Sequence, residues 1–212
     1  GTELAVVAVS NRNARNATSV QLGGSAMTFI INSTSSPNSD MDERVQLYYL
    51  LSPAAGSQSV SITLSGDSRH KAAGCLLFTG INATAMPSTI KKANENFYNT
   101  ASTASISFSG SEAPTGSMVV SAINCLGADL EISGTNHTEQ WNLETERVGD
   151  NPIRSSHGGS TATGSSANGA TMVWTPPDGV FWNGDWGMAA MVIPASYYGI
   201  TNITANPDPL SV

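Results

Sequence analysis

Three histidines and two runs of small residues are the first places to look for chemistry in this chain. His70, His137 and His157 lie in unrelated segments, and none has a His, Cys or carboxylate partner at metal-ligand spacing. This pattern favours histidines in loops or on the surface over a metal centre. We therefore predict neither a metal site nor any other cofactor.

Catalytic motifs are also missing from the sequence. Gly164-Ser-Ser-Ala-Asn-Gly169 has the wrong spacing for a G-x-S-x-G nucleophile elbow. Gly158-Gly159 neither follows a predicted strand nor opens a helix, as a phosphate-binding loop does. Glu139, Glu144 and Glu146 include the two carboxylates that a glycosidase needs, but the sequence does not set their separation. We expect a protein without catalytic residues that is not an enzyme.

The acidic cluster Asp40-Met-Asp-Glu43 offers neighbouring carboxylates on a predicted loop, and Ca²⁺ accepts such oxygens as ligands. The cluster lacks the twelve-residue order of an EF-hand. A solvated turn is the favoured interpretation, and calcium binding by this loop stays open.

The two cysteines stand at opposite ends of two predicted strands. Cys75 opens the strand that ends at Thr79, and Cys125 closes the strand that begins at Met118. In antiparallel neighbours the start of one strand lies beside the end of the other, where a cross-strand disulfide forms. Closing that loop stabilises a fold by roughly 4 kcal/mol in the chain-entropy account. We predict a Cys75–Cys125 disulfide; the alternative is two buried thiols that act as small hydrophobic side chains.

Five N-x-[ST] sequons are spread along the chain. Their asparagines are Asn16, Asn32, Asn82, Asn136 and Asn202. The abundance of Asn, Ser and Thr makes several matches expected by chance, but most of these asparagines lie in or beside predicted loops. We predict that some carry glycan, which would fit an extracellular protein.

Aromatic side chains on a β-sheet face are a common way to stack sugar rings. The best candidates are Trp182, Trp186 and Tyr197. Trp174 alternates with Met172 and is a core residue by its pattern, as is Trp186 if it begins the last strand.

Composition excludes several classes of protein. The net charge is −7 and only 12% of residues are charged, about half the usual share. Nucleic-acid binding is not expected, because the chain has no basic stripe. The longest apolar runs are about seven residues, against the roughly 20 that a spanning helix needs, so no membrane span is predicted.

Short runs with period-two alternation, separated by Pro, Gly, Ser and Asp, predict an all-β fold with little helix. The predicted strands are Leu4–Ser10, Ser19–Leu22, Ala26–Ile31, Val45–Leu51, Ser59–Leu64, Gly74–Gly80, Ala104–Ser109, Met118–Cys125, Asp129–Ser133, Thr171–Thr175 and Trp186–Ile193. A two-sheet antiparallel sandwich with jelly-roll or Greek-key connections fits them best. We assign residues 1–195 to one domain and 196–212 to a C-terminal extension. A long mobile loop is expected at about 150–169, because its Gly/Ser-rich sequence offers no apolar face.

Eight short segments also follow one another in a specific order. They are Leu4–Ser10, Ser19–Met27, Val45–Pro53, Gly56–Val60, Phe78–Asn82, Met118–Ala122, Met172–Thr175 and Trp186–Pro194. This order resembles a β-sandwich module that is repeated in many large bacterial secreted, surface and phage-associated proteins, and the resemblance covers about residues 4 to 195. It implies an extracellular, jelly-roll-like module without an agreed activity. Members of that family usually have one more strand before the first segment, and they end before Ser196–Val212.

These observations favour an extracellular or cell-surface structural subunit of a fibre, filament or sheath, which forms a homo-oligomer or polymer. A sandwich without its first strand would accept a strand at its open edge. The tail would supply that strand to a neighbouring subunit, or would instead fold back and fill the gap in its own. The residues expected to make this contact are Tyr197, Tyr198, Ile200 and Ile203. The alternatives are a carbohydrate-binding or adhesive module, with a glycan as partner, and a virion decoration protein.

Overall fold

The computed structural model describes residues 2–12, 15–33, 43–68, 70–96, 103–126, 130–132, 137–146, 154–175, 185–194 and 199–206. These residues are all-β, with one short 3₁₀ helix at Ala83–Ser88 and no α-helix. The first nine strands are β1 (Thr2–Arg12), β2 (Ala17–Leu22), β3 (Ser25–Ala26), β4 (Thr28–Asn32), β5 (Glu43–Leu51), β6 (Val60–Leu64), β7 (Lys71–Ile81), β8 (Lys91–Asn96) and β9 (Ala104–Phe108). The others are β10 (Met118–Leu126), β11 (Glu131–Ile132), β12 (His137–Glu146), β13 (Arg154–Thr163), β14 (Ala170–Thr175), β15 (Trp186–Ile193) and β16 (Gly199–Asn206).

The strands form four antiparallel sheets. The first inner sheet has the order β16-β7-β1-β5-β4, and the second inner sheet has the order β12-β13-β10-β15-β8. The first outer sheet is β3-β2-β6, and the second outer sheet is β11-β14-β9. The predicted two-sheet sandwich was therefore too simple, while the predicted all-β antiparallel class is confirmed.

Three hydrophobic cores separate the four sheets. On β1, Ala5, Val7 and Val9 pack against the first outer sheet, whereas Leu4 and Val6 face the second inner sheet. Because successive side chains of a strand point to opposite faces, a strand in an inner layer buries both sets. This explains why β1 and β15 read as continuous apolar runs.

Two parts of the chain repeat one pairing pattern. In the first half (β1–β7), Ala8 of the central strand pairs with Leu47 of β5 and Gly74 of β7. In the second half (β10–β15), Ala122 pairs in the same way with Gly159 of β13 and Ala189 of β15. The strands β4, β5, β1 and β7 thus correspond to β12, β13, β10 and β15.

A β-bulge and the outer sheets follow the same correspondence. The register shifts between Phe29 and Ile31 where β4 meets β5, and between Glu139 and Trp141 where β12 meets β13. The shift lies at Leu47 in one half and at the corresponding Gly159 in the other. In the outer sheets β2 pairs with β6, as β11 pairs with β14. The chain therefore contains two copies of one strand arrangement.

Residues 154–163 correct the loop prediction. They form β13, which lies between β10 and β12 and is buried from Ser155 to Ala162. A Gly/Ser-rich segment becomes an inner strand because its neighbours supply the bulk: a Cβ on Gly158 would meet Trp174 Cη2 at 2.6 Å.

The C-terminal extension also has a defined place. Its β16 pairs with β7 of the same chain, from Gly199 opposite Thr79 to Asn206 opposite Ala73. This is the folded-back alternative for the tail. Tyr197 and Tyr198 lie outside the described residues, and the side chains of Ile200 and Ile203 are not described. No helix in the described residues is long and apolar enough to cross a membrane.

Candidate functional site

A groove of about 450 Å³ opens on the side of the first half, where β2 and β4 meet the end of β5. It is lined by Asn16, Ala17, Thr18, Ser19, Val20, Ala26, Met27, Phe29, Gln46 and Tyr48. None of these side chains is charged. The lining instead combines aromatic and aliphatic surface with amide and hydroxyl groups.

The apolar part of this groove is an aromatic pair. Phe29 and Tyr48 are opposite residues of β4 and β5, with ring centroids 5.5 Å apart at an interplanar angle of 65°. Tyr48 is 6% exposed, but Phe29 is 49% exposed. An exposed large ring on a rigid strand is the unusual observation, because its apolar face is available to a ligand.

The polar part of the groove lies where the pairing of β2 with β6 is irregular. The register between β2 and β6 shifts between Ala17 and Ser19, and the Ala17 backbone is bonded by side chains of β5. Ala17 N donates to Gln46 Oε1 at 2.7 Å, and Tyr48 Oη donates to Ala17 O at 3.2 Å. Gln46 Nε2 donates to Tyr48 Oη at 3.3 Å. These bonds fix both side chains in one orientation.

Arg44 adds a cation beside the groove. Its Nη1 donates to Asn16 Oδ1, and Asn16 itself is exposed. Burial raises the pKa of Tyr48, while Arg44 acts in the opposite direction. Tyr48 is therefore a neutral phenol at physiological pH.

Of the aromatic residues chosen from the sequence, the structure describes only Trp186, and it does not line the groove. Trp186 is 4% exposed and packs in the core between the second inner and second outer sheets, so its prediction as a sugar-stacking residue was wrong. Trp182 and Tyr197 lie outside the described residues. Phe29 was missed because it reads as one apolar residue of a half-buried strand. The only signal was its position on a short strand that pairs with Tyr48.

The sequons have different surroundings. Asn16 is exposed at the rim of the groove. Asn82 is exposed and caps the 3₁₀ helix, with its Oδ1 accepting from Thr84 N at 3.2 Å. Asn32 is half-buried at the end of β4, the side chain of Asn202 is not described, and Asn136 lies outside the described residues. Glycosylation of any of them stays a prediction.

The cysteines are free, and the disulfide prediction was wrong. Cys75 on β7 faces the core under the first outer sheet, and Cys125 on β10 faces the core under the second outer sheet. Their strands belong to different inner sheets. Burial raises the pKa of Cys75 to about 11, and burial also raises the pKa of Cys125 well above its ordinary value. Both behave as the small hydrophobic side chains of the alternative interpretation.

The histidines are buried, which corrects the expectation of surface positions. His70 is 1% exposed, His137 8% and His157 0%. His137 Nε2 lies against Ser160 Oγ, while its Nδ1 accepts from Val173 N at 3.4 Å. Because Nδ1 accepts, Nε2 carries the proton and donates to the serine. That is the opposite of the orientation in which a histidine acts as base toward a serine nucleophile.

A buried polar cluster closes one end of the inner core. Arg12 and Glu43, 3% and 0% exposed, approach to 3.8 Å, and Ser155 Oγ donates to Glu43 Oε2 at 3.2 Å. Ser155 Oγ also lies 3.0 Å from Asn124 Oδ1, and Asn124 Nδ2 donates to Asn11 O at 2.9 Å. The cluster joins the two inner sheets and is closed to a ligand.

Among the carboxylates considered for calcium binding or for catalysis, the structure describes the surroundings of Glu43, Glu139 and Glu144. Glu43 belongs to the buried cluster rather than to a solvated turn, whereas Asp40 and Asp42 lie outside the described residues. Glu139 and Glu144 are exposed on β12, and the side chain of Glu146 is not described. Within the described residues, no group of three or more His, Cys, Asp or Glu side chains is placed to hold a metal ion.

Compared with protein-family models, curated proteins and solved structures, the chain gives no match. The resemblance to the bacterial β-sandwich module therefore stays a prediction. What can be said about function comes from the residues and their geometry.

Proposed function

We propose that this protein is an extracellular structural subunit of a surface fibre, filament or sheath, assembled from copies of itself by strand addition. The observation that carries the proposal is the placement of β16. This last strand adds to the outer edge of β7, which lies far earlier in the chain. A strand that pairs with a sheet edge far from it in the sequence can pair with the same edge of a neighbouring copy.

The correspondence between the halves supports this role for β16. β8 pairs with the outer edge of β15, and β16 pairs with the outer edge of the corresponding β7. β8 comes before the second half in the chain and pairs with that half. β16 comes after the second half but pairs with the first. Each inner sheet therefore has five described strands, and the fifth strand of the first sheet comes from a segment that follows the second half. The proposal keeps the resemblance to one jelly-roll-like module, over about residues 4 to 195, as its finer description of the fold.

A cysteine pair tests exchange of β16 in the full-length chain. Gly199 and Thr79 are opposite residues of β16 and β7, so Thr79→Cys/Gly199→Cys places two thiols in position for a disulfide. Exchange between copies would give interchain disulfides on oxidation: a covalent dimer where two chains exchange β16 reciprocally, and a ladder of larger oligomers where exchange runs head to tail. Intrachain bonds alone, with the mass of one chain at every protein concentration, would contradict the proposal. Thr79→Cys alone is the control.

A second candidate is carbohydrate binding in the groove, favoured by the exposed Phe29 ring beside fixed amide and hydroxyl groups. The uncharged lining and the Phe29–Tyr48 pair suit a neutral sugar, whose apolar ring face stacks on aromatic carbon. In this role the protein is an adhesive module, either as a monomer or on an assembled fibre.

A glycan array followed by calorimetry tests the groove. Phe29→Ala should weaken binding of any sugar that is found by about tenfold or more, since the stacking surface is lost. Ile90→Ala is the matched control, because Ile90 is the other exposed large apolar side chain among the described residues, at 37%. Equal affinities of the two variants would rule out the groove as the binding site.

A further inference from the structure

The outer sheets of the two halves differ at one edge. In the second outer sheet, β9 pairs with β14 along Ala104–Phe108. In the first outer sheet β6 corresponds to β14. Among the described residues, no strand pairs with β6 on the side where β9 pairs with β14. Within the part of the chain that the structure describes, this edge is therefore filled in the second outer sheet and open in the first.

The backbone of β6 is oriented for a further strand. At one end Gly23 N donates to Ser59 O, and on the far side of β2 Val20 O accepts from Met27 N. Bonded and non-bonded pairs alternate along an antiparallel ladder. Val60 and Ile62 therefore point their N–H and C=O groups away from β2, toward the open edge. Ile62 is itself 3% exposed and anchors the strand in the core.

The edges at β8 and β9 are protected by charges and by side-chain contacts. β8 carries Lys91, Lys92 and Glu95. Along β9, Ser107 O accepts from Lys92 Nζ at 2.8 Å and Ser105 O accepts from Asn94 Nδ2 at 3.1 Å. These contacts cover the outer carbonyls of the strand.

The β6 edge has no comparable protection in its sequence. Val60-Ser-Ile-Thr-Leu64 contains no charged residue and no proline, which are the usual devices against edge-to-edge pairing. Its inward side chains are apolar, while Ser61 and Thr63 are exposed. These are the properties of a strand that takes a partner.

We propose that the β6 edge binds a second copy of this chain, whose own β6 adds antiparallel across a two-fold axis. Ile62 then lies opposite Ile62 of the second copy, and Val60 lies opposite Leu64. This register bonds the outward backbone groups and continues the apolar inner face of the sheet. On the exposed face Ser61 lies opposite Thr63, a favourable cross-strand pair. Two outer sheets become one sheet of twice the width.

This contact extends the proposed assembly function and rests on it for the formation of fibres. Reciprocal exchange of β16 between two chains makes one two-fold contact, and β6 pairing makes another. Two different two-fold contacts on one subunit alternate into an open chain. Either contact alone gives a closed dimer.

A charge variant of the full-length chain tests the β6 contact. Ser61→Lys/Thr63→Lys places like charges opposite each other in the paired state, and both positions are exposed, so the variant should fold. We expect the β6 affinity to fall by about tenfold or more. Sedimentation velocity should show fibres replaced by dimers. Thr171→Lys is the control, because Thr171 is exposed on β14, whose edge is already filled by β9.

The outcomes separate this inference from β16 exchange. If β16 exchange fails and β6 pairing holds, the unaltered chain is a dimer and the lysine variant a monomer. If assemblies keep their size in the lysine variant, β6 pairing is wrong. Oxidising a mixture of Ser61→Cys chains and Thr63→Cys chains supplies the positive test. A disulfide-linked pair joining one chain of each kind is expected, and its absence at concentrations where the chain associates would overturn the proposal.

Discussion

The two halves share one pairing pattern but distribute their bulky side chains differently. At the position paired with the central alanine, the first half has Leu47 and the second has Gly159. The second half carries its bulk on Trp141, which belongs to the inner core. A Cβ on Gly159 or on Gly74 would collide with the Trp141 ring. The same strand pairing therefore accommodates a large side chain on either of two neighbouring strands, provided the space between the sheets stays filled.

The halves also differ at the end of the central strand pair. The terminal pair is Arg12 with Glu43 in the first half and Leu126 with Ser155 in the second. Ser155 nevertheless reaches Glu43 across the inner core. The charged end of one half is therefore satisfied partly by the uncharged end of the other.

The largest expected effect comes from breaking this buried pair. Glu43→Ala should lower the free energy of unfolding by about 3–5 kcal/mol, since Arg12 keeps its charge in a desolvated site. Denaturant titration measures the change. Replacing both partners with apolar residues, as in Arg12→Met/Glu43→Leu, should recover most of it. Lys92→Met is the control: its pair with Glu112 is partly exposed at 36% and 30%, and it should matter by about 0.5 kcal/mol or less.

The next effect tests the exchange of volume. Gly159→Ala should destabilise the fold by about 1–3 kcal/mol, because the added methyl displaces Trp141 from between the sheets. Gly66→Ala is the control, since a Cβ there meets Arg15 Nε at an ordinary 3.4 Å. Equal unfolding free energies of the two variants would contradict the packing role of Gly159.

Acid should act on the second half through its histidines. Burial is the main cause that lowers the pKa of His157 to about 3, with a smaller contribution from nearby His70, and burial lowers that of His137 to about 4. The folded state binds these protons less well than the unfolded chain. Stability is therefore fully present above about pH 6.5 and falls as the pH drops toward 3–4, by about 1.4 kcal/mol per pH unit for each histidine.

The contribution of His157 to the pH dependence is tested by replacing it with the residue that stands at the corresponding position of the first half. The position of His157 corresponds to Val45, since they pair with Asn124 and Ser10 of the two central strands. His157→Val should reduce the slope of unfolding free energy against pH by about 1.4 kcal/mol per pH unit between pH 6 and 4. An unchanged slope in acid denaturation experiments would show that His157 does not carry the effect.

The smallest effect concerns the thiols, one at each outer core. With no disulfide to break, a reductant should leave the unfolding temperature unchanged, and intact mass should not rise on reduction. Cys125, 1% exposed, should resist alkylation until the protein unfolds, whereas half-buried Cys75 should react slowly. A mass increase of about two daltons on reduction would show that the protein does contain a disulfide.

Much of the all-β architecture could be predicted from local pattern. The strict alternation around Val60–Leu64 and the apolar runs of β1, β5 and β15 became strands at the expected positions. Three of the described strands were not predicted, β8, β12 and β13, while β16 was expected only as a strand supplied by the tail. β8 and β12 are polar edge strands, and β13 has glycines where other strands have apolar side chains. Their sequences lack a clear alternation of apolar and polar residues and contain few of the β-branched and aromatic residues from which strands are predicted.

The local sequence is enough to set the class of fold, because period-two alternation and turn residues act between neighbouring positions. It also sets the low share of charged residues. Only the tertiary structure decided which strands became neighbours. It placed Cys75 and Cys125 in separate cores, buried the histidines, and left Phe29 exposed beside Tyr48. These outcomes depend on contacts between residues far apart in the chain, where the volume of one side chain is set by the space that another leaves.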